Sequence, residues 1–97
     1  MAASSTNRRR ILFVDDDPDF LEMIDRVMGA WGKDSWEIHL ADNAGKVLTT
    51  VQTHSINLVV IDLNMPVIDG LQLLSLLTKK HPQVQKVVMT GFATEDN

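Results

Sequence analysis

The chain has 97 residues, 44% of them hydrophobic, which suffices for one small domain with a single core and is too few for two domains. Thirteen acidic and nine basic residues give a net charge of -4, which disfavours direct binding to nucleic acids through their phosphates. There is no cysteine, which excludes disulfides and thiolate metal sites and favours a cytoplasmic location. The apolar runs are too short for a membrane span, and no signal-peptide pattern is present.

The amino-terminal segment is polar and ends in three consecutive arginines, which predicts a disordered leader over residues 1–10 and a single domain over residues 11–97. Residues 11–14 form a short apolar run that predicts the first strand. Asp17 and Pro18 then give the start signal of a helix, because an aspartate can cap it and proline is favoured at its first position.

A second strand and helix and a third strand follow. Trp36–Ala41 alternates in polarity, which predicts a half-exposed strand at the edge of a sheet. Asp42 or Asn43 can cap the helix after it. Residues 58–63 are apolar except for Asp62, as expected for a central strand that helices cover on both faces.

The last predicted elements are a helix and a strand. Asp69 and Gln72 have the spacing of a capping pair at the start of a third helix, which Pro82 ends. Residues 86–90 predict a fourth strand. This alternation predicts an α/β fold, a three-layer, doubly wound parallel sheet whose functional residues lie at the carboxyl ends of its strands.

Four polar side chains belong at those strand ends: Asp15, Asp16, Asp62 and Thr90. Carboxylates about 4 Å apart repel by roughly 4 kcal/mol at an effective dielectric near 20, so a cation is expected among them, and oxygen ligands favour Mg²⁺. Asp62 could then attack phosphorus to form an aspartyl phosphate, with the Thr90 hydroxyl donating to the phosphoryl oxygens. Individually, Asp16 could be a helix cap and Thr90 an ordinary strand-end hydroxyl, but their shared location favours one site.

Three segments resemble the receiver domain of two-component response regulators. They are Ile-Leu-Phe-Val-Asp-Asp-Asp-Pro at 11–18, Val-Ile-Asp-Leu-Asn-Met-Pro-Val-Ile-Asp-Gly at 60–70 and Val-Val-Met-Thr-Gly at 87–91. They occur in the order and with the spacing of the family, and the resemblance runs from Ile11 almost to the end of the chain. It implies the flavodoxin-like receiver fold.

The resemblance also implies a role for each site residue. Asp62 would accept a phosphoryl group from a sensor histidine kinase or a phosphotransfer protein, and Asp15 and Asp16 would bind Mg²⁺ together with the backbone carbonyl of Asn64. Thr90 matches the hydroxyl that moves toward the phosphoryl group on activation. The chain would then be a regulatory phosphoacceptor and not an enzyme, acting on an output domain outside this sequence.

The chain departs from the family at its carboxyl end. A receiver domain has a fifth strand, which begins with a lysine that contacts the phosphoryl group, and a fifth helix, and neither has a counterpart before Asn97. We therefore expect weakened Mg²⁺ binding and impaired phosphotransfer. We also expect self-association through the strand that carries Val87, Val88 and Met89, because unpaired strand edges favour pairing with another chain.

Two other functions are alternatives, and the second is the less favoured. The missing lysine favours a phosphorylation-independent interaction or assembly module. An aspartyl-phosphate phosphatase would require a second acidic residue where Asn64 stands.

The three histidines, His39, His54 and His81, show no metal-ligand spacing and are assigned to the surface or to packing.

Overall fold

The computed structural model describes residues 9–32, 35–62 and 69–89. Within these ranges, strands and helices alternate along the chain. They are β1 (Arg9–Val14), α1 (Pro18–Gly32), β2 (Trp36–Ala41), α2 (Ala44–Thr53), β3 (Leu58–Asp62), α3 (Gly70–Lys80) and β4 (Gln85–Met89). None of the helices in these ranges combines the length and the apolar composition needed to cross a membrane.

The four strands form one parallel sheet in the order β2-β1-β3-β4. Val14, the last residue of β1, pairs with Ala41 on one side and with Ile61 on the other. The carboxyl ends of the first three strands therefore lie at the same end of the sheet. This topology confirms the predicted doubly wound α/β fold, with β2 at an edge and β3 inside the sheet.

The main core lies between the sheet and the pair α2 and α3. Alternate residues of β1 and β3 face this side, because successive side chains of a strand point to opposite faces. The buried cluster comprises Leu12, Val14, Ala41, Val47, Val51, Ile56, Val59, Ile61, Leu73, Leu77 and Val84. Ile11 of β1 and Leu21 of α1 are buried outside this cluster, which places α1 on the opposite face of the sheet.

The first strand begins earlier than the sequence predicted. Arg9 and Arg10, which were assigned to the leader, belong to β1. The Arg9 backbone N–H donates to the Ser35 carbonyl at 3.0 Å, and the Arg10 N–H donates to the Asn57 side-chain oxygen at 2.8 Å. Backbone pairing thus extends the strand past its apolar residues, while the remainder of the predicted leader lies outside the described residues.

Side-chain caps fix the starts of α2 and α3. The Asn43 side-chain oxygen accepts the Lys46 backbone N–H at 2.8 Å, so Asn43 and not Asp42 is the cap of α2. Asp69 accepts the Gln72 N–H at 3.1 Å in the same way, as predicted for α3. Each cap satisfies a backbone donor that has no partner within its helix.

Candidate functional site

Two neighbouring strands bring three carboxylates to the carboxyl end of the sheet. Asp15 and Asp16 directly follow β1, and Asp62 is the last residue of β3. Because β1 and β3 pair in parallel up to Val14 and Ile61, the residues that follow each pair also lie side by side. The side chains of Asp15 and Asp62 lie close enough to interact with each other. We call Asp15, Asp16 and Asp62 the acidic rim.

Asp15 is the most constrained member of the acidic rim. It is only 6% exposed, and Asp16 and Asp62 are half-buried. Its backbone N–H donates to the Ala41 carbonyl at 3.2 Å, and its Oδ1 accepts the Asp17 N–H at 3.0 Å. The strand pairing and the start of α1 together hold this carboxylate in place.

The surroundings of Asp15 disfavour its ionised form. Burial raises the pKa of Asp15 most strongly, and the Asp17 N–H, which stabilises the carboxylate, opposes that shift. Hydrogen bonding with the neighbouring Asp62 side chain and the negative charges of Asp62 and Asp16 raise this pKa further. Ionisation of Asp15 is therefore costly, and a bound cation would offset that cost.

The donor set of the acidic rim fits a hard divalent cation. Three carboxylates offer oxygen ligands, which Mg²⁺ prefers, and the half-buried positions of Asp16 and Asp62 leave room for the waters that this ion keeps. No nitrogen or sulfur ligand is needed. The residues present therefore fit the predicted magnesium ion.

Two predicted site residues, Asn64 and Thr90, lie outside the described residues, and their roles stay predictions. The pairing of β3 with β4 just before Thr90 is nevertheless described. Asp62 pairs with Met89, the residue that precedes Thr90 in the sequence.

The fold also assembles a group that the sequence did not predict. Glu37, His39 and His54 place their potential ligand atoms within 4.8 Å of one another. Period-two alternation already puts Glu37 and His39 on one face of β2. His54 follows α2, and only the tertiary fold brings it to them. The assignment of both histidines to the surface or packing thus missed this group.

Comparison with known proteins identifies the family. The family model of the response regulator receiver domain matches residues 11–97. A response regulator receiver domain protein (CheY-like) from Methanospirillum hungatei JF-1 has a similar structure, with a TM-score of 0.77, 31% identity and coverage of 91% of this chain and 68% of that one. The response regulator TrrA, solved in complex with the histidine kinase ThkA, aligns with a TM-score of 0.75 and 28% identity, over 92% of this chain and 74% of that one.

Curated relatives are much longer than this chain. The response regulator protein FleR of Pseudomonas aeruginosa is 30% identical over 87 residues, which are 90% of this chain and 18% of FleR. The transcriptional regulatory protein ZraR of Klebsiella oxytoca is 28% identical over 86 residues, 89% of this chain and 19% of ZraR. The chain thus spans about a fifth of each. With its fold and the family match over residues 11–97, the chain belongs to the response regulator receiver domain family.

Proposed function

We propose that this receiver domain is a Mg²⁺-dependent phosphoacceptor in which Asp62 receives the phosphoryl group. The observation that carries the proposal is the contact between Asp62 and the buried Asp15 at the ends of two neighbouring strands. Asp62 is exposed enough to react, and Asp15 is held where it can bind a cation beside Asp62. The domain would act as a regulatory acceptor and not as an enzyme on external substrates.

The transfer step uses groups of the acidic rim. An Asp62 carboxylate oxygen attacks the phosphorus of a phosphohistidine, the phosphorus–nitrogen bond breaks, and the imidazole leaves with that electron pair. Asp15, Asp16, Asp62 and the Asn64 carbonyl would hold Mg²⁺, which when bound neutralises charge on the phosphoryl oxygens. The Thr90 hydroxyl would donate a hydrogen bond to the aspartyl phosphate.

The donor would be the phosphohistidine of a sensor histidine kinase or of a phosphotransfer protein. TrrA, which is named as a response regulator and was solved with a histidine kinase, is 28% identical to this chain over most of its length. Relatives such as ZraR are named as transcriptional regulatory proteins and are far longer, which supports an output domain outside this sequence. Such a pathway favours the cytoplasm.

Phosphorylation would change the preferred state of the domain. A phosphoryl group adds about -1.5 to -2 charges at neutral pH, together with new hydrogen-bond acceptors. Asp62 pairs with Met89 of β4, so this charge would develop beside the segment that carries Thr90. Movement of Thr90 toward the phosphoryl group would re-pose that segment for a partner, as a shift between two populations.

Incubation with Mg²⁺ and acetyl phosphate, followed by intact-mass spectrometry, tests the acceptor. We expect the mass of one phosphoryl group on the wild type and none on Asp62→Asn. Asp25→Asn removes one exposed carboxylate of α1 and should react like the wild type. An unmodified wild type, with this donor and with a phosphohistidine donor, would remove the proposal, and labelling that persists in Asp62→Asn would place the acceptor elsewhere.

A second proposal, self-association, rests on the outer strand of the sheet. Among the described residues β4 pairs with β3 alone, and its Val87 and Val88 are 48% and 40% exposed. An apolar strand with unpaired backbone groups is a template for pairing with another chain. We propose that the 97-residue chain self-associates through this side of β4, which would also serve a phosphorylation-independent assembly role.

A further inference from the structure

Glu37, His39 and His54, which we call the histidine cluster, form a compact group beside β2. The His39 Nε2 lies 2.7 Å from Glu37 Oε2, and the rings of His39 and His54 have centroids 4.7 Å apart with a tilt of 40°. Glu37 and His39 are half-buried, whereas His54 is exposed. The cluster is therefore partly shielded and still open to solvent on one side.

Secondary structure fixes all three positions. Glu37 and His39 are two residues apart on β2 and so point to the same face of the sheet. Glu37 pairs with Arg10 and His39 with Leu12, and these pairs fix their positions along the strands. His54 ends α2, and its backbone N–H donates to the Thr50 carbonyl at 2.9 Å. The cluster thus joins the open edge of the sheet to the end of a helix.

We propose that the histidine cluster binds a divalent transition-metal ion of the Zn²⁺ class. Two imidazoles and one carboxylate are a ligand set that suits such ions, whereas Mg²⁺ prefers oxygen ligands alone. Three protein ligands leave further coordination positions, which water would fill. The site would stabilise the folded domain by linking β2 to the end of α2.

Small side-chain movements suffice to form the site. Ligand atoms around a tetrahedral zinc lie roughly 3.3 Å apart at bond lengths near 2.0–2.1 Å. The ligand atoms of the histidine cluster all lie within 4.8 Å of one another, so rotation of an exposed side chain such as His54 can bring them to this spacing. Glu37 and His39, now 2.7 Å apart, would separate slightly as the metal replaces the proton between them.

Among the residues that the structure describes, Arg10 also contacts the cluster. Its Nε donates to Glu37 Oε2 at 3.2 Å, which holds the carboxylate in its present orientation. The guanidinium also repels a cation, so we expect moderate and not very tight binding.

The histidine cluster is distinct from the acidic rim. Glu37 and His39 pair with Arg10 and Leu12, whereas Asp15 follows the end of β1. At about 3.3 Å per strand residue, the cluster lies roughly 10 to 16 Å along the sheet from Asp15. Occupancy of the two sites can therefore be measured separately.

Zinc titration of the untagged 97-residue chain by isothermal titration calorimetry, with Mg²⁺ in excess, tests the proposal. We expect one Zn²⁺ per chain and a higher melting temperature with Zn²⁺. His39→Gln and His54→Gln should each weaken binding about tenfold or more, since each removes a ligand. His54 is exposed and its side chain has no role in the core, so that variant should fold even where His39→Gln does not.

Matched variants separate this site from other metal binding. His81→Gln removes the third histidine of the chain, and Asp62→Asn alters the acidic rim, and neither should change the zinc affinity. The proposal would be overturned if His54→Gln bound zinc as tightly as the wild type. It would also be overturned if His81→Gln lost as much zinc affinity as His54→Gln. Half an equivalent of Zn²⁺ per chain, bound by a dimer, would overturn the single-chain site.

Discussion

The buried carboxyl group of Asp15 lies beside that of Asp62, across the ends of two adjacent parallel strands. Each strand delivers one acid, and neither strand could form the pair alone. The pairing holds the proposed nucleophile beside a group whose ionisation is disfavoured without a cation. In the proposed mechanism, reactivity and metal binding would therefore be coupled at this contact.

Asp15→Asn should stabilise the metal-free domain at pH 7. The substitution removes a buried charge that burial and two neighbouring acids disfavour, and it keeps a side chain of similar shape. We expect a gain of about 1 kcal/mol in the free energy of unfolding, the size of a typical single substitution. Urea denaturation without divalent cations measures it, with Asp25→Asn as the control for one lost charge on an exposed residue.

The pH dependence of that gain follows from the raised pKa of Asp15. A group whose pKa is raised on folding contributes stability at low pH and loses it as the pH rises through its folded-state pKa. The advantage of Asp15→Asn over the wild type should thus be small near pH 4 and grow toward pH 7. An advantage that is constant across this range would exclude the charge of Asp15 as its cause.

Mg²⁺ should stabilise the wild type much more than Asp15→Asn. A ligand that binds only the folded state at 100 times its Kd adds about 2.7 kcal/mol, and chelation should reverse the effect. The Asp15→Asn substitution leaves fewer carboxylates to bind Mg²⁺ and should abolish most of the stabilisation by Mg²⁺. Thermal denaturation with and without Mg²⁺ is the measurement, and an equal shift in both proteins would place magnesium away from Asp15.

Two leucines of α3 give a matched test of the core. Leu77 is fully buried, and Leu71 is 65% exposed on the same helix. Leu77→Ala should lower the free energy of unfolding by about 2–5 kcal/mol, because it removes buried methyl groups and leaves a cavity. Leu71→Ala should change it by no more than about 0.5 kcal/mol. Similar losses in chemical denaturation would contradict the packing of α3 against the sheet.

Asn43→Ala should destabilise the start of α2. The change removes the side-chain acceptor of the Lys46 N–H and should cost about 1 kcal/mol. Asn43→Ser keeps a hydrogen-bond acceptor and should restore most of that stability. Urea denaturation of the two variants compares them, and an alanine variant as stable as the serine variant would show that the cap contributes little.

Val87→Lys should weaken self-association of the 97-residue chain. A charge on the outer strand opposes pairing with a second chain, and Val87 is already 48% exposed, so folding should tolerate it. Sedimentation velocity over a range of concentrations should show a shift toward monomer. Leu71→Lys places the same charge on exposed α3 and should leave association unchanged, whereas a monomeric wild type would contradict the proposal.

The sequence by itself determined the order of the elements and the acids at the strand ends. Period-two alternation predicted β2 within its observed bounds, and the spacing of Asp69 and Gln72 predicted the start of α3. These features depend on neighbouring residues, which is why they can be predicted without the fold. The charged start of β1 was missed, because backbone pairing of Arg9 and Arg10 with distant residues decides it.

Only the tertiary structure decided which distant side chains meet. Parallel pairing of β1 with β3 set the contact between Asp15 and Asp62, and the burial of Asp15 gave that contact its electrostatic character. The packing of α2 beside β2 brought His54 to Glu37 and His39, although nothing in their spacing predicted it. Side-chain proximity across elements depends on register and packing, and these are properties of the folded chain.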